Sequence, residues 1–247
     1  ALTVSDAKRM QEAAMRNKKM LYVVKQNRYN PPVRLVQELI AENKLGVPIM
    51  CIVNMIWNRG DAYYASDPWR GTLALDGGTI YTQGCHFVDL MLMFLGKPKT
   101  VHAFMGTKTH TIEIEDTGVI SSEFENGAYG VVNYTTCAAN KNAEGSITLV
   151  FSKGTIKIGG EYINTIDYFQ VEGVDGYELD KTYIPANDYG TYRGTMSNHD
   201  DIFKDIAKKI NGEGEGRLVY GDEAISTIEF IEAAIQSSRI GEVVHLT

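Results

Sequence analysis

Apolar and polar positions alternate along this chain with two periods. In ALTVSDAKRMQEAAMRNKK, Val4, Ala7, Met10 and Ala14 recur at helical spacing. Thr3, followed three residues later by Asp6, gives that helix a capping-box-like start. MLYVVKQ reads as a short strand. Pro31 and Pro32 open a second helix that runs to about Asn43, since proline is tolerated in a first turn. After Gly46, VPIMCIVNMIW is a strand apolar on both sides. YYASDPWRGTLALDGG is a loop rich in aromatic residues and glycine. Gly84 to Leu95 is a helix apolar nearly all round, hence buried, and Gly96 with Pro98 stops it. TVHAFMG, DTGVISSEF, AYGVVNYTTC, GSITLVFS, GTIKIGG and TIDYFQVEG follow as strands, with a hairpin signal at Asn126-Gly127. Helices near Thr195 to Ile210 and Asp222 to Ser238 close the chain.

Hairpin-linked strands flanked by helices predict an α+β fold, an open and mainly antiparallel sheet with helices on one face. Strands apolar on both sides require cover on the other face, and a second subunit is the simplest cover. A capped helix feeding a buried strand is half of a βαβ layer. The beginning of the chain therefore reads as a piece of a longer protein. Its strand, Leu21 to Gln26, is expected to be poorly ordered or to pair with another copy of itself.

Composition narrows the function. The 247 residues are 44% hydrophobic, enough for a sizeable core, and the formal net charge is −7. No basic stripe of a nucleic-acid binder is present, and no apolar run is long enough to span a membrane. Cys51, Cys85 and Cys137 form no CxxC and no even framework, which fits a reducing cytoplasm. Asn133-Tyr-Thr135 matches a glycosylation pattern inside a strand and is read as chance.

His86 opens the all-apolar helix. Poor solvation and the positive end of the helix dipole both disfavour the imidazolium there, and a neutral imidazole suits a general base. Asp89, one turn on, is placed to orient it or to cap the turn. The competing reading is a core histidine bonded to a carbonyl. Cys85 and His86 are sequence neighbours and diverge on a helix, so they form no dyad. His86, His102, His110, His199 and His245 show no metal-ligand spacing, and no metal is expected.

Two further groups carry binding chemistry. KQNRYNPP follows a strand end, where α/β proteins place ligand contacts, and Lys25 and Arg28 suit a carboxylate or phosphate; a solvated connection is the alternative. Trp57, Arg59, Tyr63, Tyr64, Trp69 and Arg70 join aromatic planes to guanidinium groups, which suits a sugar ring or nucleobase; the alternative is a rim packed on its own domain. GEGEGR, Gly212 to Arg217, is no dinucleotide fingerprint and joins the last two helices. No GxGxxG occurs in the chain.

The run GGTIYTQGC-His86-FV-Asp89 resembles the GGGxxxxxGxHxxD signature of the glucose-fructose oxidoreductase/inositol dehydrogenase family. ALTVSDAK resembles the segment after that family's EKP motif, whose lysine is catalytic. KQNRYNPP, YY…WRGT and TQxxH most resemble the members that are UDP-N-acetylglucosaminuronate 3-dehydrogenases. The resemblance implies that residues 1–27 are the last helix and strand of an NAD(P)-binding Rossmann domain. Residues 28–247 are then the substrate-binding and oligomerisation domain. It implies NAD or NADP as cofactor, a nucleotide-sugar substrate, and His86 as the base for a sugar hydroxyl. It assigns substrate contacts to Lys25, Asn27, Arg28, Tyr29, Tyr63, Trp69, Arg70 and Gln83, with Lys25 also near the cofactor. Many members carry an aspartate four residues before this histidine. Here that residue is Thr82, which argues against an inositol-like substrate. Without the EKP lysine and the glycine loop, these residues alone are expected to turn over nothing. A dehydrogenase of a free sugar or polyol and a non-catalytic carbohydrate-binding module remain as alternatives.

Overall fold

The computed structural model describes residues 1–179, 186–190, 192–196 and 198–246, without the side chains of Thr195 and Met196. Thr3 caps α1 (Val4–Arg16): its hydroxyl accepts the Asp6 N–H at 3.0 Å and donates to the Asp6 carboxylate at 2.9 Å. The T-x-x-D spacing predicts a helix start at this place. A two-residue strand β1 (Tyr22–Val23) and a 3-10 turn (Gln26–Tyr29) lead into α2 (Pro31–Ala41). β2 (Pro48–Ile56) and the single-turn α3 (Asp61–Tyr64) precede the long loop to α4 (Cys85–Leu95). The strands β3 (Pro98–Gly106), β4 (Thr117–Phe124), β5 (Tyr129–Thr135), β6 (Glu144–Phe151), β7 (Gly154–Gly159) and β8 (Thr165–Val171) follow. β9 (Ala186–Asp188), β10 (Arg193–Met196), α5 (His199–Asn211), β11 (Val219–Tyr220), α6 (Gly221–Ile240) and β12 (Val244–His245) complete the described elements.

Eight strands form one sheet in the order β12-β3-β4-β5-β2-β6-β7-β8. Every neighbouring pair is antiparallel except β2 with β5, which are parallel in the register Val53↔Val132. The fold is thus α+β with a mostly antiparallel sheet. α4 packs on β2 and β5, and α6 on β3 and β12. One face of each strand enters the core: Cys51, Val53 and Met55 from β2, Ile120 and Phe124 from β4, Ile147 and Leu149 from β6. On the alternate positions, Phe104 and its cross-strand partner Val119 are 69% and 48% exposed.

Two expectations are corrected. The N-terminal strand has no parallel neighbour among the described residues, but neither does it wait for another copy. β1 pairs antiparallel with β11 of the same chain, Tyr22↔Tyr220, and the Gly221 N–H donates to the Leu21 carbonyl at 3.1 Å. The fifth helix starts at His199 rather than near Thr195, because Arg193–Met196 pairs with Ala186–Asp188 instead.

Candidate active site

The loop before α4 is built by two carboxylates, the buried Asp76 and the half-buried Glu115. Asp76 accepts the Gly71 N–H at 2.8 Å and the Thr82 hydroxyl at 3.0 Å. Glu115 accepts the Ile80 N–H at 2.8 Å and the Tyr134 hydroxyl at 3.1 Å. Gly77 and Gly78 sit at φ +77° and +149°, and a Cβ on Gly78 would meet the Glu115 carboxylate at 2.7 Å. Gly78 therefore lets Glu115 reach the Ile80 N–H at the start of the π-helical turn. Burial pushes the Glu115 carboxyl up to about 7.

That run starts earlier than the sequence indicates. A π-helical turn (Ile80–Gly84) passes directly into α4, so His86 lies in its second turn. The helix dipole is accordingly a small influence on His86. Its pKa is still lowered, to about 4, by burial first and by the Lys25 ammonium second. The imidazole is neutral as expected, for a partly different reason. His86 Nδ1 is buried and has no hydrogen-bond partner among the described residues. A core histidine bonded to a carbonyl would have one, so that reading loses its main feature.

Asp89 does not orient His86. Its carboxylate takes two parallel 2.8 Å bonds from Arg28 Nε and Nη2, and Arg28 Nη1 reaches Glu223 at 2.5 Å. All three donor nitrogens of Arg28, which is buried, are thereby engaged within the protein. Arg28, expected to touch the substrate, here ties the 3-10 turn, α4 and α6 together. Tyr29, also expected at the substrate, is engaged within the protein. It is buried with Ile202 and Leu218, and its hydroxyl donates to Asp205 at 3.0 Å. Lys25 is buried, with Nζ 3.5 Å from the Cys85 carbonyl. Asn27 is 1% exposed, and neither end of its amide has a partner among the described residues. Burial raises the Cys85 thiol, which removes it as a nucleophile.

A second cluster forms around Arg59, which the sequence placed in the aromatic group without singling it out. Its Nη2 donates to Gln83 Oε1 at 2.9 Å, and Gln83 Nε2 donates to the Tyr63 hydroxyl at 2.8 Å. The Arg70 guanidinium lies 4.2 Å from the Tyr63 ring centre and 4.6 Å from that of Trp69. Arg70 Nε also donates to Ser66 and Asp67 at 3.0 Å. Tyr63, Trp69, Arg70 and Gln83 are therefore brought together. Gln83 lies three residues before His86 on one helical run, which places the two clusters side by side.

The structure also gathers His110, Asp116 and Cys137, whose ligand atoms lie within 4.8 Å of one another. Their spacing had given no metal signal. Asp116 accepts N–H bonds from Lys108, Thr109 and His110, the Thr117 hydroxyl, and a contact from His110 Nδ1. Burial would raise this carboxyl, yet the backbone donors outweigh it and hold it well below its usual range. A carboxylate so fully occupied is a loop cap.

A family model described as GFO/IDH/MocA C-terminal domain matches residues 33–157. The chain belongs to the Gfo/Idh/MocA family. Two solved structures at 31% identity cover all of it: the WlbA dehydrogenases of Bordetella pertussis and Chromobacterium violaceum, each in complex with NADH and UDP-GlcNAcA. Both superpose with a TM-score of 0.85, and the chain covers 69% and 68% of their lengths. A levoglucosan dehydrogenase with NADH and levoglucosan shares the fold at 18% identity and TM-score 0.78, over 99% of this chain and 71% of that one. No curated protein matched the chain. The Gfo/Idh/MocA family consists of oxidoreductases, and these relatives are NADH-complexed dehydrogenases. None of the described helices is long and apolar enough to cross a membrane.

Proposed function

We propose that this chain is the substrate-binding part of an NAD(P)-dependent dehydrogenase that oxidises the C3 hydroxyl of a UDP-N-acetyl-hexuronic acid. The observation that carries the reading is His86, a neutral imidazole with an unpartnered buried Nδ1 beside the buried Lys25. The identity with dehydrogenases solved with UDP-GlcNAcA supports the substrate class. Residues 1–27 are the end of the cofactor domain, residues 28–247 the substrate and oligomerisation domain.

His86 takes the hydroxyl proton. Lys25 keeps the imidazole deprotonated and places a positive charge beside the developing alkoxide. Asn27 supplies an amide with both ends free for the sugar or the nicotinamide amide. Tyr63, Trp69, Arg70 and Gln83 flank the sugar or nucleotide. Arg28 holds Asp89 and acts as a positioning residue. The residues present fit part of a nicotinamide site, through Lys25, Asn27 and His86, and no dinucleotide fingerprint lies among them. Lys25, Asn27 and His86 would hold the nicotinamide, which would supply the hydride acceptor for the same carbon.

These 247 residues by themselves turn over nothing. The exposed Phe104–Val119 face is the contact between subunits of a dimer or tetramer. A role in cytoplasmic synthesis of sugars for bacterial surface polysaccharide follows from the substrate class. The test is NADH formation by the full-length protein with UDP-N-acetylglucosaminuronate, UDP-N-acetylglucosamine and myo-inositol. Turnover of the uronate alone is expected; turnover of the polyol alone would replace the substrate assignment.

A further inference from the structure

Arg59 is 1% exposed and among the largest fully buried side chains. Buried guanidinium groups ordinarily meet a carboxylate. Among the described residues, Arg59 meets none. Nη1 donates to the Asn58 carbonyl at 2.7 Å and to Asn142 Oδ1 at 3.2 Å, and Nη2 to Gln83 Oε1. All three acceptors are neutral, and Nε is buried without a partner among the described residues. The rings of Trp57, Tyr63 and Tyr192 surround the guanidinium, with centres 5.0, 5.4 and 4.9 Å from its carbon. Ring faces solvate a cation in part and neutralise nothing.

A cleft adjoins the residues that hold the guanidinium. Asn58, Asn142, Tyr162 and Tyr192 line a cleft of about 480 Å³. Arg59 touches three of these residues on one side and Gln83, a turn from His86, on the other. We propose that Arg59 is an oxyanion subsite whose counter-ion arrives with the substrate, and that it selects substrates carrying an anionic group near the reacting carbon. The inference rests on the dehydrogenase reading above and adds a specificity residue to it. In a pyranose oxidised at C3, the substituents on C1 and C5 both stand two carbons away. The glycosyl phosphate and a C5 carboxylate are therefore the two sources of such an anion.

Calorimetric titration of the full-length protein with UDP-N-acetylglucosaminuronate, UDP-N-acetylglucosamine and UDP tests it. Arg59→Met is expected to bind the uronate about 10- to 100-fold more weakly, the effect of losing hydrogen bonds to a charged group. If the variant keeps parental affinity for UDP-N-acetylglucosamine and UDP, the anion is the carboxylate. If all three weaken alike, it is the diphosphate. Arg59→Lys keeps the charge without the fork and should lose less; circular dichroism checks both folds. Should Arg59→Met fail to fold, Arg59→Lys decides, because parental affinity for every probe overturns the proposal. So does parental affinity in Arg59→Met. A parent that binds none of the three contradicts the nucleotide-sugar reading instead. D-glucuronate and pyrophosphate are then the probes. One of them must raise the melting temperature of the parent and not of the variant, and any other pattern overturns the subsite.

Discussion

Arg28 and Asp89, 61 residues apart in sequence, meet in two parallel 2.8 Å hydrogen bonds, with 8% and 3% of their side chains exposed. The pair fastens the turn carrying Lys25 and Asn27 to the helix carrying His86. Removing one partner leaves the other charge buried and alone. Arg28→Ala is expected to cost about 3–5 kcal/mol in urea denaturation. The double variant Arg28→Met, Asp89→Leu should recover most of that. If the two single changes and the double change were all neutral, the tie would be unimportant.

Glu115 makes stability depend on pH. Its folded pKa, about 7, lies above the ordinary 4.5, so the folded protein holds a proton that the unfolded chain releases. Its stabilising effect is complete below about pH 4.5 and is lost as pH rises to 7, by at most about 3 kcal/mol. Glu115→Gln keeps an oxygen for the Ile80 N–H and carries no charge. It should melt higher than the parent at pH 8 and alike at pH 5. An unchanged difference across that range would place the titration elsewhere.

Lys25 sets the other end of the pH scale. It lowers the His86 pKa together with burial. Lys25→Met in the full-length enzyme should move the acid limb of the kcat profile to higher pH, from near 4 toward 6.5, while burial still holds it below the ordinary value. A limb that stays in place would separate Lys25 from the base.

Much of the fold is legible in the sequence, because strands β3–β8 and the Asn126-Gly127 turn are written in local alternation and turn chemistry. The parallel neighbour of β2 is not, since β5 joins it from 73 residues beyond without a local signal (Asn54 opposite Asn133 differs from any i, i+2 pattern only in space). The chemistry of His86 is legible as a neutral imidazole, but the π-turn that moves it off the helix end leaves no mark on hydrophobic periodicity. Arg28 and Tyr29 read as free polar residues because their partners, Asp89 and Asp205, lie far along the chain. The importance of Arg59 lies in a partner that is missing, which only packing reveals.

The sheet face predicts assembly. Phe104 and Val119 are exposed cross-strand neighbours on the face away from α4 and α6. Light scattering after size exclusion should give a dimer or tetramer at micromolar concentration, and Phe104→Glu should give monomer. A monomeric parent would remove this interface.

The central claim is that His86 is the general base. His86→Ala in the full-length enzyme, with UDP-N-acetylglucosaminuronate and NAD, is the measurement that tests it most directly. General-base catalysis contributes about a hundredfold to ten-thousandfold. A loss of kcat on that scale is expected, with KM little changed and circular dichroism unaltered. A folded variant that turns over the uronate near the parental rate would contradict it and leave His86 a packing residue.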